Sequence, residues 1–400
     1  MTATATAPAE ERVTAGSPRV LLAPITITPC KPLTLSHLKG LLWTDVMYRA
    51  TARLAPVTYR YSHTTYHPTE QTAGFWEHLD RTLGDTDYSG MTEQEIGELY
   101  VAYRATGHRP DAASLRPYRE AVERCGWVHP ATTRVLELWR AHYARLGLYD
   151  PGLARHQPPG LSLDAMLDRL GDLGMCLDQR SYGGPVYLDA TRFGLPLRPI
   201  VTADGRPNYL ACALRELLPL AAEHDEVVLL YDHELDADYQ LLQRALSACG
   251  PQVHRVAVGR VPIDGRVLSA RHGDWRGTTA AELIGAASES HGTAALRLGM
   301  RLYFIATLGC GRQESYRPDL LHGCLNRAAR LLAAGGEEED AADLAACVAR
   351  HRRDHVYVDP YRLTAGLLAR RGRGPVRSLL AEVFTGRHST LVSPPTEEAP

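Results

Sequence analysis

Apolar residues near the start of the chain change from the spacing of a strand to the spacing of a helix. The run VLL at residues 20–22, followed by Ile25 and Ile27, is typical of a β-strand. After the turn TPCKP, apolar residues recur at helical spacing over residues 35–48. This stretch therefore predicts a strand, a tight polar turn and a helix, the arrangement that α/β proteins use to hold a phosphate at a helix N-terminus.

The same two signals alternate through the rest of the chain. A continuous apolar run at residues 226–231 is typical of a buried parallel strand, residues 253–261 are predicted to form another strand, and apolar periodicity predicts helices at residues 209–220 and 236–249. A helical block at residues 91–147, which opens on a Thr-x-x-Glu capping pattern, precedes them. The alternation predicts an α/β fold with a doubly wound parallel sheet, a helical insert and a short helical C-terminal domain.

Shifts in composition along the chain predict its division into domains. They indicate a disordered leader at residues 1–18, an α/β domain at residues 19–290 with the helical insert at about residues 91–160, a helical C-terminal domain at residues 291–386 and a disordered tail at residues 387–400. The leader has no apolar core, so we do not expect a signal peptide. The longest apolar run, residues 298–308, is too short to span a bilayer. We therefore expect a cytoplasmic protein with no membrane partner.

A polar, aromatic segment, SHTTYHPTEQT at residues 62–72, is predicted to form a loop after a short strand at residues 56–61. His63 and His67 are four residues apart, which on a helix would suit a metal ion. Pro68 and the threonines favour a loop, however, and no third ligand with metal spacing follows. We therefore predict no metal site in this segment.

Composition and charge exclude some classes of function. The 400 residues include 44 Lys or Arg and 46 Asp or Glu, so there is no overall positive field to attract nucleic acid. The eight cysteines are scattered without a CxxC pair, which indicates reduced thiols rather than disulfides or a zinc site.

Only two basic residues are lysines, Lys31 and Lys39, and both lie in the first strand-turn-helix stretch. A compact ammonium is favoured at Lys31, although incidental lysines would give the same spacing, and Lys39 is expected on the helix surface.

Four blocks in the same order resemble class I aminoacyl-tRNA synthetases, most closely arginyl-tRNA synthetase, over about residues 20–315. PLTLSHLKGLLWTDVMYRA resembles the His-Ile-Gly-His signature, and ELYVAYRA with LELWRAHYARLGLYD resembles the connective helices. TADGRPNYLACAL resembles the Asp-Gly-Thr-x-x-Tyr segment, and GRVLSARHGDWRGTTAAELI resembles the Lys-Met-Ser-Lys-Ser loop. No motif is intact, but the ordered series is specific. The resemblance implies a Rossmann-like catalytic domain that uses ATP and Mg²⁺.

The resemblance also assigns residues to the phosphates of ATP. The first signature, TLSH at residues 34–37, keeps its second histidine as His37 but has serine where glycine normally lets the nucleotide stack closely. The second signature, SARHG at residues 269–273, lacks both lysines. Some arginyl-tRNA synthetases without the loop lysine carry a compensating lysine just upstream of the first signature, where Lys31 lies. The implied catalytic residues are Lys31, His37 and Arg271, and the implied nucleotide contacts are Thr34, Ser36, Ser269 and Gly273.

The implied amino-acid pocket departs from that family. A tyrosine followed four residues later by an aspartate faces the guanidinium of arginine there, whereas this chain keeps Tyr209 but has Ala213 at the aspartate position. The position of the family's second recognition acid, a glutamate, is occupied in this chain by Arg155, whose positive charge would repel a guanidinium. We therefore expect a substrate other than arginine, with Arg155 contacting an anionic side chain; the alternative is that Arg155 is a surface residue. His63 and Tyr66 complete the expected lining.

Together these features predict an ATP-dependent ligase of natural-product biosynthesis. It would activate an amino acid as its adenylate and pass the acyl group to a small amine, forming an amide without tRNA. The segment that resembles the anticodon-binding helices ends sooner than in the family, and the net charge is near zero, so tRNA is the less favoured acceptor. Two alternatives stay open: a truncated synthetase that charges a tRNA, and a catalytically inactive regulatory paralogue, which the altered signatures keep open.

Overall fold

The computed structural model describes residues 16–267, 273, 275, 277–311, 314–334, 341–369 and 377–386. Its strands are β1 (Val20–Pro24), β2 (Val57–Tyr59), β3 (Cys176–Asp178), β4 (Val186–Leu188), β5 (Arg198–Val201), β6 (Glu226–Asp232) and β7 (Gln252–Val258). Its helices are α1 (Leu35–Thr51), α2 (His63–Tyr66), α3 (Glu70–Leu83), α4 (Glu93–Ala105), α5 (Ala112–Cys125), α6 (Pro130–Leu146), α7 (Leu163–Asp172), α8 (Tyr209–Ala221), α9 (Asp236–Ser247), α10 (Ala280–Ser290), α11 (Thr293–Arg301), α12 (Pro318–Ala333), α13 (Ala341–Ala349), α14 (Pro360–Ala369) and α15 (Arg377–Leu379).

The main sheet is parallel, and β1 lies inside it, in the order β2-β1-β6-β7. Val20 pairs with Val57 on one side and with Glu226 on the other. Both faces of this sheet are covered, because Val20 and Leu22 belong to one hydrophobic core and Leu21 belongs to a second. Burial on both faces requires apolar residues along a strand, which is why the central strands β1 and β6 appear as apolar runs, whereas the edge strands β2 and β7 are only partly buried. The predicted α/β fold with a parallel sheet is confirmed.

A second, smaller sheet is antiparallel, in the order β3-β4-β5. Leu188 of β4 lies between Cys176 and Arg198 in its register. The buried side chains of Val186, Leu188 and Ile200 join the same hydrophobic core as the helices α7 and α8. The small sheet therefore covers one face of the parallel sheet indirectly, through those helices.

Residues 62–72 were predicted to be a loop, and this prediction is wrong. They contain α2 and the start of α3. Ser62 forms the N-cap of α2, and its Oγ accepts a hydrogen bond from the Thr65 N–H at 3.3 Å. Thr64 Oγ1 accepts another from the Gln157 N–H at 3.2 Å. The cap and the tertiary hydrogen bond stabilise a short helix that β-branched threonines do not favour by themselves.

Lys39 was expected on the helix surface, and this expectation is also wrong, because the residue is fully buried. The helix α1 has little exposed surface, since the C-terminal helices cover the side that faces away from the sheet. Trp43 Nε1–H donates a hydrogen bond to the Phe304 carbonyl at 3.3 Å, and Thr51 Oγ1 accepts one from the Val358 N–H at 3.0 Å. Burial lowers the pKa of Lys39 to about 8.

Arginine side chains bind the last carbonyls of α6, at the end of the helical insert. Arg297 donates from Nη2 to the Ala144 carbonyl at 2.7 Å and from Nε to the Arg145 carbonyl at 3.1 Å. Arg301 donates from Nη1 to the Leu146 carbonyl at 3.0 Å. Carbonyls in the last turn of a helix have no partner within the helix, so these two residues of α11 satisfy them.

A buried ion-pair network continues from these carbonyls to α1. Asp45 accepts a hydrogen bond from Arg301 Nη2 at 2.5 Å, from Arg49 Nε at 2.9 Å and from the Tyr149 N–H at 2.8 Å. Both guanidinium groups also donate to the Gly147 carbonyl. The two arginine charges and these hydrogen bonds outweigh the effect of burial and hold the pKa of Asp45 below its usual value. The network joins α1, α6 and α11.

Several sequence expectations concern the chain as a whole. The eight cysteines all lie within the described residues and are free thiols, as predicted. In the described part of the chain, no helix is both long enough and apolar enough to cross a membrane. The boundary at residue 291 stays a prediction, and α11 contributes Leu296 and Leu298 to the same hydrophobic core as α1. Most of the expected leader and the expected tail lie outside the described residues.

Candidate functional site

The first signature forms the N-terminus of α1 at the carboxyl edge of the parallel sheet. Thr34 is the N-cap, and its Oγ1 accepts a hydrogen bond from the His37 N–H at 3.4 Å. His37 Nδ1 accepts one in return from the Thr34 N–H at 3.1 Å. With Nδ1 used as an acceptor, the neutral imidazole carries its proton on Nε2. The capping box therefore leaves the Nε2–H of His37 as the group that can donate to a ligand.

Burial and two nearby cations keep His37 neutral. Burial, followed by the charges of Lys31 and Arg260, lowers the pKa of His37 to about 3. Arg260 follows β7 and forms ion pairs with Asp232, at the end of β6, and with Glu234. At pH 7 His37 therefore supplies a hydrogen-bond donor, and any positive charge has to come from the neighbouring cations.

Lys31 is held in place beside this helix terminus. Only 7% of its surface is exposed, and its Nζ lies over the ring of Tyr100 in α4, 5.4 Å from the ring centroid. The face of an aromatic ring attracts an ammonium, so Tyr100 orients the charge without neutralising it. A buried, charged ammonium near the donor of His37 is suited to binding polyanionic phosphates.

Both flanks of the second signature are hydrogen-bonded to the first. On one side, Ser36 Oγ accepts a hydrogen bond from the Val261 N–H at 3.0 Å. On the other, the Ala280 N–H donates to the Leu33 carbonyl at 2.8 Å. The hydroxyl of Ser36 is therefore used within the protein, although the sequence suggested only that it would hinder the nucleotide. Two predicted residues of the second signature lie outside the described residues: Ser269 and Arg271.

The described part of the second signature packs on α4. Gly273 has a φ of +78°, and a Cβ there would lie 3.5 Å from Val101 Cγ2. Trp275 is 2% exposed and approaches Gly97 so closely that a Cβ on Gly97 would lie 2.9 Å from the indole and 2.6 Å from Pro32 Cδ. The absence of a side chain at Gly97 therefore lets the loop, α4 and the residue before the first signature meet.

Replacing Gly97 with alanine should disturb this contact. We expect the free energy of unfolding to fall by about 1–3 kcal/mol, because the new methyl group cannot fit between Pro32 and Trp275. Gly323→Ala in α12 is the matched control, since its Cβ would meet nothing within 4 Å. That variant should gain about 0.5–1 kcal/mol from helix propensity. Urea unfolding measures both, and equal gains in the two variants would contradict the close contact.

The helix α8 carries two of the residues that the sequence resemblance assigns to the amino-acid pocket. Tyr209 is its first residue, and its hydroxyl donates a hydrogen bond to Asp238 Oδ2 at 3.0 Å. Ala213, one turn later, is buried. Glu216 follows one turn further on the same face, and sequence reasoning missed it, although its helical spacing from Tyr209 was available. The face of α8 that contains Tyr209 and Ala213 thus carries a carboxyl group one turn beyond Ala213.

Glu216 is already paired with a cation of the chain. Its Oε1 accepts a hydrogen bond at 2.6 Å from Arg60 Nε, directly after β2. Burial raises the pKa of Glu216 to about 7, and the charge of Arg60 only partly opposes this. Tyr66 belongs to α2, which packs on α8, and burial, followed by the charge of Glu216, raises the pKa of its hydroxyl. Arg155, by contrast, is exposed on the loop between α6 and α7.

The raised pKa of Glu216 predicts a pH dependence of stability. The folded protein keeps this proton up to about pH 7, whereas the unfolded chain releases it near the ordinary value of 4.5, so the free energy of unfolding should fall between these pH values as pH rises. Glu216→Gln carries no titrating group there and should lose this part of the slope. Thermal unfolding from pH 4.5 to 7 tests it, with exposed Glu223→Gln as the control. An unchanged slope in Glu216→Gln would contradict the assignment.

His63, the remaining predicted lining residue, is buried in α2, and His67, the C-cap residue of that helix, is buried beside it. The described residues contain no group of three or more His, Cys, Asp or Glu side chains arranged to hold a metal ion. Lys31, Thr34, Ser36 and His37 therefore lie near one edge of the sheet, and Gly273 packs on Val101, the neighbour of Tyr100 in α4. Tyr209 and Ala213 lie on α8, on which α2 with Tyr66 packs.

Sequence comparisons give no match, whereas structural comparison does. No protein-family model and no curated protein matches the chain. The structure is similar to the arginyl-tRNA synthetase of Thermus thermophilus, with a TM-score of 0.58 and 16% identity over 90% of this chain and 76% of that one. It is also similar to a Campylobacter jejuni protein described as an arginyl-tRNA synthetase, with a TM-score of 0.50 and 14% identity over 80% and 69% of the chains. The protein thus has the fold of the class I aminoacyl-tRNA synthetases.

Proposed function

We propose that this protein is an ATP-dependent ligase that activates an amino acid as its adenylate. The observation that carries the proposal is the pairing of the two signatures. The N-terminus of α1, with Lys31 and the Nε2–H of His37 beside it, is hydrogen-bonded through Ser36 and Leu33 to both flanks of the second signature. A fold that joins these segments at the carboxyl edge of a parallel sheet is suited to binding a nucleoside triphosphate.

The proposed reaction needs charge stabilisation more than covalent help from the protein. An oxygen of the substrate carboxylate attacks the α-phosphorus of ATP, the bond to the β-phosphate oxygen breaks, and pyrophosphate leaves. Lys31 stabilises the negative charge on the phosphates, and His37 donates a hydrogen bond from Nε2. Arg271, which lies outside the described residues, is proposed from the sequence resemblance to contact the phosphates as well. Mg²⁺ would be held mainly by the phosphate oxygens of ATP and would neutralise part of their charge.

The proposed substrate is an amino acid other than arginine. The alanine at position 213 offers no carboxylate to a guanidinium, and the nearest carboxylate on the same face of α8, Glu216, is paired with Arg60. Binding a guanidinium there would break that buried pair or leave the new cation unpaired, and either change costs several kcal/mol. Arg155 is exposed, so its contact with an anionic side chain rests on the sequence resemblance alone.

The proposed acceptor is a small amine, and the product is an amide. The amine nitrogen attacks the acyl carbon of the adenylate, the bond to the phosphate oxygen breaks, and AMP leaves while the nitrogen loses a proton. A formal net charge of −2 gives no overall positive field for tRNA, which favours a small acceptor. We place the reaction in a biosynthetic pathway for natural products.

Amino-acid-dependent exchange of pyrophosphate into ATP tests the proposal. We expect exchange in the absence of tRNA, with at least one amino acid other than arginine. Exchange that requires tRNA would instead support a truncated synthetase, and a protein that neither exchanges nor binds ATP would be the inactive paralogue. Arginine as the best substrate would contradict the proposed specificity while leaving the proposed activation intact.

A further inference from the structure

Two histidines, His63 in α2 and His67 at its C-cap, are buried without hydrogen-bond partners among the described residues. His63 is 5% exposed and His67 is 1% exposed. Among the described residues, neither ring nitrogen of either side chain has a partner. Leaving a buried polar group unpaired costs about 1–3 kcal/mol of stability. Four such nitrogens in one place are therefore unusual for a cluster that serves only the stability of the fold.

Aromatic rings surround the pair and offer it no hydrogen bonds. The two imidazoles are almost parallel, with ring centroids 6.2 Å apart. The ring of Tyr61 lies 5.1 Å from that of His63, with Trp139 at 6.0 Å, and Trp76 lies 5.1 Å from His67. Both indole N–H groups are already used, by Glu93 and Thr132 respectively.

The pair lies where the fold places ligands. α2 follows the carboxyl end of β2, and ligands of open parallel sheets bind beyond the carboxyl ends of the strands. The hydroxyl of Tyr61 accepts a hydrogen bond from the Ile27 N–H at 3.1 Å, which ties the pair to the segment between β1 and the first signature. On the other side, α2 packs on α8, where Tyr66 lies beside Glu216.

Another buried histidine shows that the fold does satisfy imidazoles elsewhere. His224 is 8% exposed, and its two ring nitrogens lie 2.7 Å from the Leu220 carbonyl and 2.8 Å from Thr58 Oγ1. His224 therefore has a complete set of partners within the protein. The contrast with His63 and His67 indicates that the latter two are kept for a partner that comes from outside the chain.

We propose that His63 and His67 form the subsite for the side chain of the activated amino acid, and that this side chain is uncharged and both donates and accepts hydrogen bonds, as a hydroxyl or a carboxamide does. The inference rests on the proposed amino-acid activation and names the substrate class of that site. A neutral imidazole presents one N–H donor and one nitrogen acceptor, so the pair presents two of each.

Other side-chain classes fit this set poorly. A guanidinium or an ammonium only donates, so both imidazole N–H groups would stay unpaired, and a carboxylate only accepts, so both acceptor nitrogens would stay unpaired. An apolar side chain would leave all four nitrogens without partners. Burial lowers the pKa of His63 to about 3 and that of His67 well below its usual value, so neither ring offers a positive charge to an anion at pH 7.

The kinetic test compares His63→Phe and His67→Phe with His224→Phe. In pyrophosphate exchange across a panel of amino acids, we expect the unaltered protein to prefer serine, threonine, asparagine or glutamine. Each of the first two variants should raise KM for that amino acid at least tenfold and leave KM for ATP unchanged. Neither should lower the melting temperature, because only unpaired nitrogens are removed. His224→Phe should lower the melting temperature and leave both KM values unchanged.

A binding measurement separates this inference from the proposed function. Imidazole ¹⁵N resonances of the unaltered protein are recorded while each amino acid of the panel is added without ATP. Shifts of the His63 and His67 resonances with a hydroxyl or carboxamide side chain, but no exchange, would support the subsite and overturn the proposed activation. If the protein catalyses pyrophosphate exchange but the two imidazole resonances do not shift, or if KM for the amino acid is unchanged in both variants, the pair binds water only. Either result would overturn the subsite. A clear preference for a charged or apolar side chain would overturn it as well.

Discussion

Replacing Lys31 with alanine is expected to lower kcat/KM for ATP–pyrophosphate exchange by about 10²–10³-fold, the range seen when one preorganised group that stabilises developing charge is removed. Lys31 is 7% exposed and its ammonium lies over the Tyr100 ring, so a cation from solvent cannot easily replace its charge in the variant. His37 cannot replace the charge, because its low pKa keeps it neutral at pH 7. The loss should therefore fall mainly on steps that involve the phosphates.

The chain offers a matched control for this substitution in its only other lysine. Lys39→Met removes an ammonium that is fully buried in α1 and has no hydrogen-bond partner among the described residues. We expect that variant to keep KM for ATP and to unfold at the same or a higher temperature, since an unpaired buried cation is costly. Steady-state exchange at varied ATP measures both variants. Full activity in Lys31→Ala would remove Lys31 from the mechanism.

Replacing Arg301 with methionine is expected to lower the free energy of unfolding by about 3–5 kcal/mol, the cost of leaving one member of a buried ion pair without its partner. Arg301 is fully buried, and its guanidinium bonds Asp45 at 2.5 Å and the Leu146 carbonyl at 3.0 Å. The variant therefore loses two interactions. The Asp45 carboxylate keeps only part of its charge compensation, and the Leu146 carbonyl at the end of α6 loses a hydrogen-bond donor.

An exposed ion pair provides the control for the Arg301 experiment. Arg317 pairs with Asp319 at 2.6 Å, and their side chains are 58% and 61% exposed. Arg317→Met should cost at most about 1 kcal/mol, because solvent screens such a pair. Urea unfolding at pH 7 measures both variants. Similar losses in the two would contradict the buried network, and adding Asp45→Asn to Arg301→Met should recover part of the loss.

The centre of the parallel sheet was predictable because β1 and β6 are buried on both faces. Burial of this kind produces a continuous apolar run such as the one in β6, whereas the edge strand β7 contains His254 and Arg255 and is only partly buried. The start of α1 was predictable from its turn and periodicity, although its capping partner was not. A histidine at the third helical position, His37, takes the place that Glu or Gln holds in the usual pattern.

The errors arise where contacts distant in sequence override a local signal. α2 has β-branched residues and a following proline, and its helix depends on Ser62 and on the hydrogen bond from Gln157 to Thr64. Lys39 was expected in solvent on the basis of residue type, but residues near the C-terminus cover that side of α1. Glu216 and Arg60 form one pair from two segments, and neither segment alone indicates the other.

The candidate phosphate side was easier to predict from sequence than the candidate amino-acid side. Four of its proposed residues lie within one continuous stretch, Lys31 to His37, so one motif contains them, while the others belong to the second signature. The residues proposed for the amino-acid side come from α2, α8 and the segments next to them, and their chemistry depends on which groups are already paired. Pairing is a three-dimensional property, as the difference between His63 and His224 illustrates.

The position of β1 between β2 and β6 has a consequence for synthesis on the ribosome. Val20 pairs with Glu226, about two hundred residues later in the chain. At translation rates of about 5–20 residues per second, the edge of β1 that β6 will occupy waits for about 10–40 s after β1 is made. An unpaired strand edge is a template for aggregation, so the nascent chain presents one throughout this interval. We expect the yield of folded protein in cells to depend on chaperones that bind the nascent chain before β6 emerges from the ribosome.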